Sequence, residues 1–178
     1  MPSLALFDFD GTITRQDTFT PFIFQAVEPR RLAYGKILLS PLIAGYKLGL
    51  LPASAMRASI ARFGFRGRRA LDVQQAGSSY ARHALPGVVR KKALERIRWH
   101  QFRGDTVVVV SASLDVYLAG YCAELGVELI CTELEARDGT LTGRYRGGDC
   151  SGHEKARRVR QRVRLRRHQR RRSDAEAR

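Results

Sequence analysis

Four apolar residues, Leu4-Ala5-Leu6-Phe7, run without interruption into Asp8-Phe9-Asp10-Gly11-Thr12, and this junction constrains the chain more than any other segment. A short apolar run that stops at carboxylates and a glycine fits a buried parallel strand delivering polar groups at its carboxyl end. Side chains alternate along a strand, so Asp8 and Asp10 face the same way, and Gly11 lets the backbone turn tightly around whatever they hold. Two carboxylates in one mouth repel each other and invite a divalent cation, for which Mg²⁺ is the natural partner of hard oxygen ligands. A carboxylate can also attack phosphorus, and an aspartyl phosphate divides one difficult hydrolysis into two easier displacements. In that chemistry Asp8 is the nucleophile, while Asp10 protonates the leaving oxygen and then activates the water that cleaves the intermediate. On spacing alone, the alternative is a strand that merely ends in a polar turn.

Val107 to Val110 repeats the form of the first strand, four valines followed by Ser111. In an open α/β sheet the ligand crevice lies beyond the carboxyl ends of the strands, so the two endings are expected to converge. Residues 18 to 103 are largely helical in pattern, broken at Pro21, Pro29, Pro41, Pro52, the Gly64 to Gly67 region and Pro86-Gly87. Val88 to Phe102, stopped by Gly104, reads as the helix feeding the second strand, and Leu114 to Leu125, stopped by Gly126, as the helix leaving it. Ser113 suits the cap of that departing helix better than Ser111 does. Val127 to Cys131 reads as a third strand, and Asp138-Gly139 is a strong two-residue hairpin turn.

An apolar strand followed by Asp-x-Asp-Gly-Thr resembles the first motif of the haloacid dehalogenase-like superfamily, and the second aspartate, Asp10, marks its phosphatase and phosphomutase branches. Val107 to Val110 with Ser111-Ala112-Ser113 resembles the second motif, which implies that Ser111 hydrogen-bonds the transferring phosphoryl group. Cys150-Ser151-Gly152-His153-Glu154-Lys155 resembles the third motif of the phosphoserine-phosphatase-like branch, subfamily IB, with Lys155 as the cation that offsets carboxylates and phosphate. Asp17-Thr18-Phe19 matches a further segment of that branch; the resemblance implies a substrate-binding Asp17, which could equally cap the following helix. The fold implied is α/β, a Rossmann-like parallel sheet with a helical cap inserted after the first strand. The core is assigned to residues 1–14 and 84–156 and the cap to 15–83, where caps exclude water and select the substrate. The activity implied is that of a Mg²⁺-dependent phosphatase acting on a small-molecule phosphate ester, with the metal on Asp8 and the backbone carbonyl of Asp10.

Past Lys155 the resemblance stops: no apolar strand ending in Gly-Asp follows, and Asp174 and Glu176 have no strand before them. The C-terminal strands and last acidic motif are therefore expected to be absent, through a shifted reading frame or a truncated product, which predicts weakened metal binding, impaired activity and an exposed apolar edge. From Arg157 to Arg172 ten of sixteen residues are Arg, so residues 157–178 are expected to be a disordered tail, or a frayed extension of a helix beginning near His153.

Residues 151–178 also supply +9 of the net +15, which makes basicity mostly a property of this tail. A catalytically silent protein whose tail binds nucleic acid or anionic lipid is the alternative from another class, although no aromatic residues are interleaved with the Arg run. A further alternative keeps the phosphatase chemistry on a lipid phosphate, with peripheral membrane contact, because Leu38 to Leu51 is unusually apolar. The apolar stretch of about fifteen residues, broken by Pro41 and two glycines, is shorter than the roughly twenty needed to cross a bilayer. Cys122, Cys131 and Cys150 are read as reduced thiols, His83, His100 and His153 as surface or helix-end residues, and the setting as cytoplasmic. The pattern assigns no oligomeric state.

Overall fold

The computed structural model describes residues 3–176, with side chains through residue 165. Its centre is a four-stranded sheet in the order β1 (Leu4–Asp8), β2 (Thr106–Leu114), β3 (Glu128–Arg137), β4 (Thr140–Arg146). β1 and β3 both run parallel to β2, whereas β4 returns antiparallel to β3. Val107 to Val110 are all buried, as expected for a strand covered on both faces. The register sets Asp8 beside Val110, so the two strands end level, with Asp8 one residue short of Ser111. β1 lies at the sheet's edge and Leu6 is 48% exposed there; among the described residues no strand follows Arg146.

Asp138 and Gly139 both have positive φ, 48° and 73°, the conformation a two-residue hairpin turn requires. β3 runs six residues beyond the apolar segment read from sequence, straight into this hairpin, and its partner strand supports the extension.

Between β1 and β2 stand α1 (Phe19–Ala26), α2 (Pro29–Leu38), α3 (Ser40–Lys47), α4 (Ala53–Phe65), α5 (Ala70–His83), the single turn α6 (Leu85–Val88) and α7 (Lys91–Phe102). The prolines fall where their missing N–H costs little: Pro29 and Pro41 in first turns, Pro52 at the cap of α4. Pro21 is no break, because it too sits in a first turn, that of α1. The helix expected from Val88 begins instead at Lys91. Val89 is drawn into a bridge with Thr14, closed by Arg15 N–H donating to the Val88 carbonyl and Arg90 N–H to that of Ile13.

α8 (Asp115–Glu124) leaves β2 and packs on α5, where Gly77 abuts the Val116 carbonyl so closely that a Cβ would overlap backbone. Phe22, Phe65, Tyr80 and Tyr117 form one aromatic cluster with ring centroids 4.8 to 6.0 Å apart, joining α1, α4 and α5 of the cap to α8 of the core. The α4–α5 loop adds backbone hydrogen bonds to the β-hairpin, among them Ala70 N–H to the Gly139 carbonyl at 2.8 Å.

The Arg-rich segment departs from its expected boundary at residue 157: α9 runs from Gly152 to Glu176 without a break there. Of the two expectations for this segment, the helical extension describes the backbone, and its first turns are held to the core. Arg158 donates to Glu154 at 2.6 Å and to the carbonyls of Cys131, Arg146, Gly147 and Gly148. Val159 packs against Val108, Val110 and Cys150, and Arg162 pairs with Glu128 at 2.8 Å. These contacts supply the burial and charge pairing that composition alone does not reveal.

Candidate active site

Beyond Asp8 the backbone turns through Phe9–Ile13, with Gly11 at φ 77°, and the turn closes by Thr14 N–H donating to the Phe9 carbonyl at 3.0 Å. A residue with a Cβ is strained at that φ, which is the need for glycine inferred from sequence. The turn leaves Asp8 half exposed and swings Asp10 inward.

The two carboxylates have different surroundings. Asp8 Oδ1 accepts from its neighbour's N–H, Phe9, at 2.9 Å and from Lys155 Nζ at 2.8 Å. Asp10 accepts four hydrogen bonds: Oδ1 from the Thr18 N–H at 2.8 Å and Thr18 Oγ1 at 2.6 Å, Oδ2 from Ser113 Oγ at 2.6 Å and Ser111 Oγ at 3.3 Å. Such donors favour the ionised carboxylate. Thr18 Oγ1 and Ser113 Oγ each spend their proton on Asp10, so the buried Tyr117 hydroxyl, which lies against both, is the donor of that group. Burial above all, and then the charge of Asp10, raises the Tyr117 phenol well above its ordinary range. The same two causes push Tyr80 up to about 12, and its hydroxyl donates to the Thr18 carbonyl at 3.1 Å.

Asp8, Asp10, Ser111 and Lys155, named from sequence, therefore meet in one place. Ser111 is fully buried, accepts from the Ser113 N–H at 3.0 Å and keeps only the long bond to Asp10. Ser113 is not a helix cap as expected: α8 begins without a side-chain cap, because the Ser113 hydroxyl is committed to Asp10. Asp17 does cap α1, accepting from Phe19 and Thr20 N–H at 3.2 and 3.0 Å, and its side chain stays exposed. Lys155 is delivered by the loop before α9, which Cys150 N–H anchors to Thr132 Oγ1 at 2.9 Å and which Arg158 holds from the other side.

Sequence reasoning missed Thr18, Ser113 and Tyr117, whose signal was present but faint: a hydroxyl one residue after Asp17 and another two after Ser111. It also missed a contact between cap and core. Arg57 on α4 makes a bidentate pair with Asp149 at 2.8 and 2.9 Å, and the Asp149 side chain is 8% exposed. Burial pulls the Arg57 guanidinium down, but the hydrogen bond and charge of Asp149 outweigh it and the net shift is upward. The buried Tyr145 hydroxyl beside this pair has no hydrogen-bond partner among the described residues.

As oxygen donors for a hard cation, Asp8 Oδ2, which accepts no hydrogen bond among the described residues, and the Asp10 backbone carbonyl remain. The Asp10 carboxylate does not, because both of its oxygens are occupied. No group of three or more His, Cys, Asp or Glu gathers among the described residues. Two oxygens suit Mg²⁺, which commonly retains waters and shares oxygens of a phosphate substrate. An apolar cavity of about 120 Å³ lies away from these residues, between α1, α2, α3 and α4 of the cap.

With this geometry established, comparisons with known proteins gain weight. A family model described as haloacid dehalogenase-like hydrolase matches residues 5–177. Protein CicA of Caulobacter vibrioides is 30% identical over 166 residues, covering 90% of this chain and 72% of its own length. A solved structure of a protein of unknown function from Bordetella pertussis Tohama I superposes with a TM-score of 0.74 at 26% identity, over 90% of this chain and 74% of its own. A phospho-aspartyl intermediate analogue of phosphoserine phosphatase shares the fold, with a TM-score of 0.54 at 21% identity over 81% of this chain and 62% of its own.

Proposed function

The chain belongs to the haloacid dehalogenase-like hydrolases, and from that premise we propose that it is a phosphatase cleaving a phosphate monoester through an aspartyl phosphate at Asp8. The observation that carries the proposal is the contrast between the two aspartates. Asp8 is half exposed and paired with Lys155, whereas Asp10 is held from four sides just behind it.

Asp8 Oδ attacks phosphorus, a P–O bond forms, and the ester P–O bond breaks. The alcohol oxygen leaves with a proton from Asp10, whose carboxyl, once ionised, takes a proton from the water that splits the acyl phosphate. The donors around Asp10 stabilise its ionised form and so equip it best for the second, basic step. Ser111 Oγ, held to Asp10 only at 3.3 Å, is the hydroxyl free to turn toward a phosphoryl oxygen, and the Lys155 ammonium offsets charge that builds there. Asp8 and the Asp10 carbonyl would hold Mg²⁺, which supplies positive charge against the phosphate oxygens. Asp17, exposed at the start of α1, is a candidate for contacting a substrate cation with the carboxylate lone pairs its capping bonds leave over.

The test is hydrolysis of p-nitrophenyl phosphate with Mg²⁺, repeated after chelation. Turnover should appear with the metal, disappear with the chelator and fall by about a thousandfold or more in Asp8→Asn. Equal turnover in wild type and Asp8→Asn overturns the proposal.

A further inference from the structure

α2 and α3 form a hairpin at the outer end of the cap that buries almost nothing of itself: α3 has no buried residue, and α2 has only Gly35. Ile37, Leu38, Leu48 and Leu50 stand 67 to 76% exposed, with Tyr34 and Tyr46 beside them in sequence. Isolated exposed apolar side chains are ordinary, but a gathering of this size marks an interaction surface. Between Glu28 and Asp72 there is no acidic residue, against nine Lys or Arg.

We propose that this hairpin is a docking surface for an anionic lipid bilayer, its aliphatic side chains entering the headgroup boundary while Arg30, Arg31, Lys36 and Lys47 meet lipid phosphates. The proposal is independent of the phosphatase chemistry, since docking can be read without turnover. Ten- and eight-residue helices are far too short to cross a bilayer, and among the described residues no helix is long and apolar enough to do so, so the hairpin would lie in the interface. Long basic side chains can keep their charge at headgroup level while their stems cover apolar surface, and Tyr suits the same depth.

Charge and side-chain type separate this partner from two others. A second copy of the chain would bring nine cations against nine with no acid to offset them, which disfavours self-association through this face. Nucleic acid would be attracted by the charge, but single strands are held by aromatic stacking, and the outermost side chains here are aliphatic.

The experiment is sedimentation of the full chain with vesicles of equal parts phosphatidylcholine and phosphatidylglycerol, against phosphatidylcholine alone. Wild type should bind the anionic vesicles preferentially, and a triple variant, Ile37→Asp with Leu48→Asp and Leu50→Asp, should bind about tenfold more weakly with an unchanged unfolding temperature. Should the triple variant not fold, Leu48→Ser with Leu50→Ser should still lose about threefold. Equal binding by variant and wild type would assign the affinity to the arginines of α9 and overturn the proposal. Equal binding to neutral vesicles, binding of single-stranded RNA but not vesicles, or self-association through the hairpin without vesicle binding would overturn it as well.

Discussion

The carboxyl ends of β1 and β2 and the tip of the cap obey opposite rules. At the strand ends polar groups are crowded but satisfied: four donors on Asp10, a cation on Asp8, and a phenol donating into the hydroxyls between them. At the tip, apolar groups are displayed to solvent and scattered cations have no acid near them in sequence. Burial explains the difference. A carboxylate behind a sheet edge must be hydrogen-bonded or it costs several kcal/mol, so its partners are fixed, whereas an exposed Leu costs little and is kept or lost by what it touches outside the chain. Chemistry and partner choice are thereby housed on separate elements, joined through the aromatic cluster of Phe22, Phe65, Tyr80 and Tyr117.

Substitutions on the two sides should therefore separate cleanly, and the largest effects belong to the strand ends. Asp10→Asn should lower turnover of p-nitrophenyl phosphate by about 10²–10⁴-fold, measured as kcat, because it removes the proton carrier. Retention of more than about a tenth of the activity would mean that another group moves the proton. Lys155→Met should cost about 10²–10³-fold in kcat with little change in folding, since its ammonium is partly exposed and acts on developing charge.

The junction between the regions should respond in stability. Arg57→Ala leaves the Asp149 carboxylate 8% exposed and unpaired, and denaturant unfolding should register a loss on the order of 3 kcal/mol. A change below about 0.5 kcal/mol would show that cap and core are held by the aromatic cluster alone. Acid should loosen the start of α9. The Glu154 carboxyl is held down to about 2 by hydrogen bonds from Arg157 and Arg158, so its contribution is present above its unfolded value near 4.3 and is lost as pH falls through about 2. Circular dichroism from pH 5 to about 2 should show helix loss that Glu154→Gln does not share. Smallest of all, Ile37→Asp should leave p-nitrophenyl phosphate turnover within about twofold and stability within about 0.5 kcal/mol of wild type. A larger loss would place the hairpin within the catalytic machinery.

How much of this could be read in advance follows the same division. Asp8, Asp10, Ser111 and Lys155 were legible because a strand end fixes which way a side chain faces, and four apolar residues announce the strand. Thr18, Ser113 and Tyr117 were not, because their contacts with Asp10 depend on the tight turn at Gly11, which brings segments about a hundred residues apart together. Asp138-Gly139 gave the hairpin from two residues, since both need positive φ. The Arg57–Asp149 pair joins an unremarkable arginine in a basic cap to an aspartate in a glycine-rich loop, and nothing local distinguishes either. α9 was misjudged at its start for a related reason: Arg158 reads as one more cation in a run, yet its guanidinium caps four backbone carbonyls.

The central claim is that Asp8, and not a water held by the site, attacks phosphorus. Acid quenching during turnover of p-nitrophenyl phosphate with Mg²⁺, followed by peptide mass mapping, tests it most directly. A phosphoryl group should be found on Asp8, at higher occupancy in Asp10→Asn, whose intermediate breaks down more slowly, and it should be absent from Asp8→Asn. Steady turnover with no phosphorylated Asp8 in either wild type or Asp10→Asn would contradict the account.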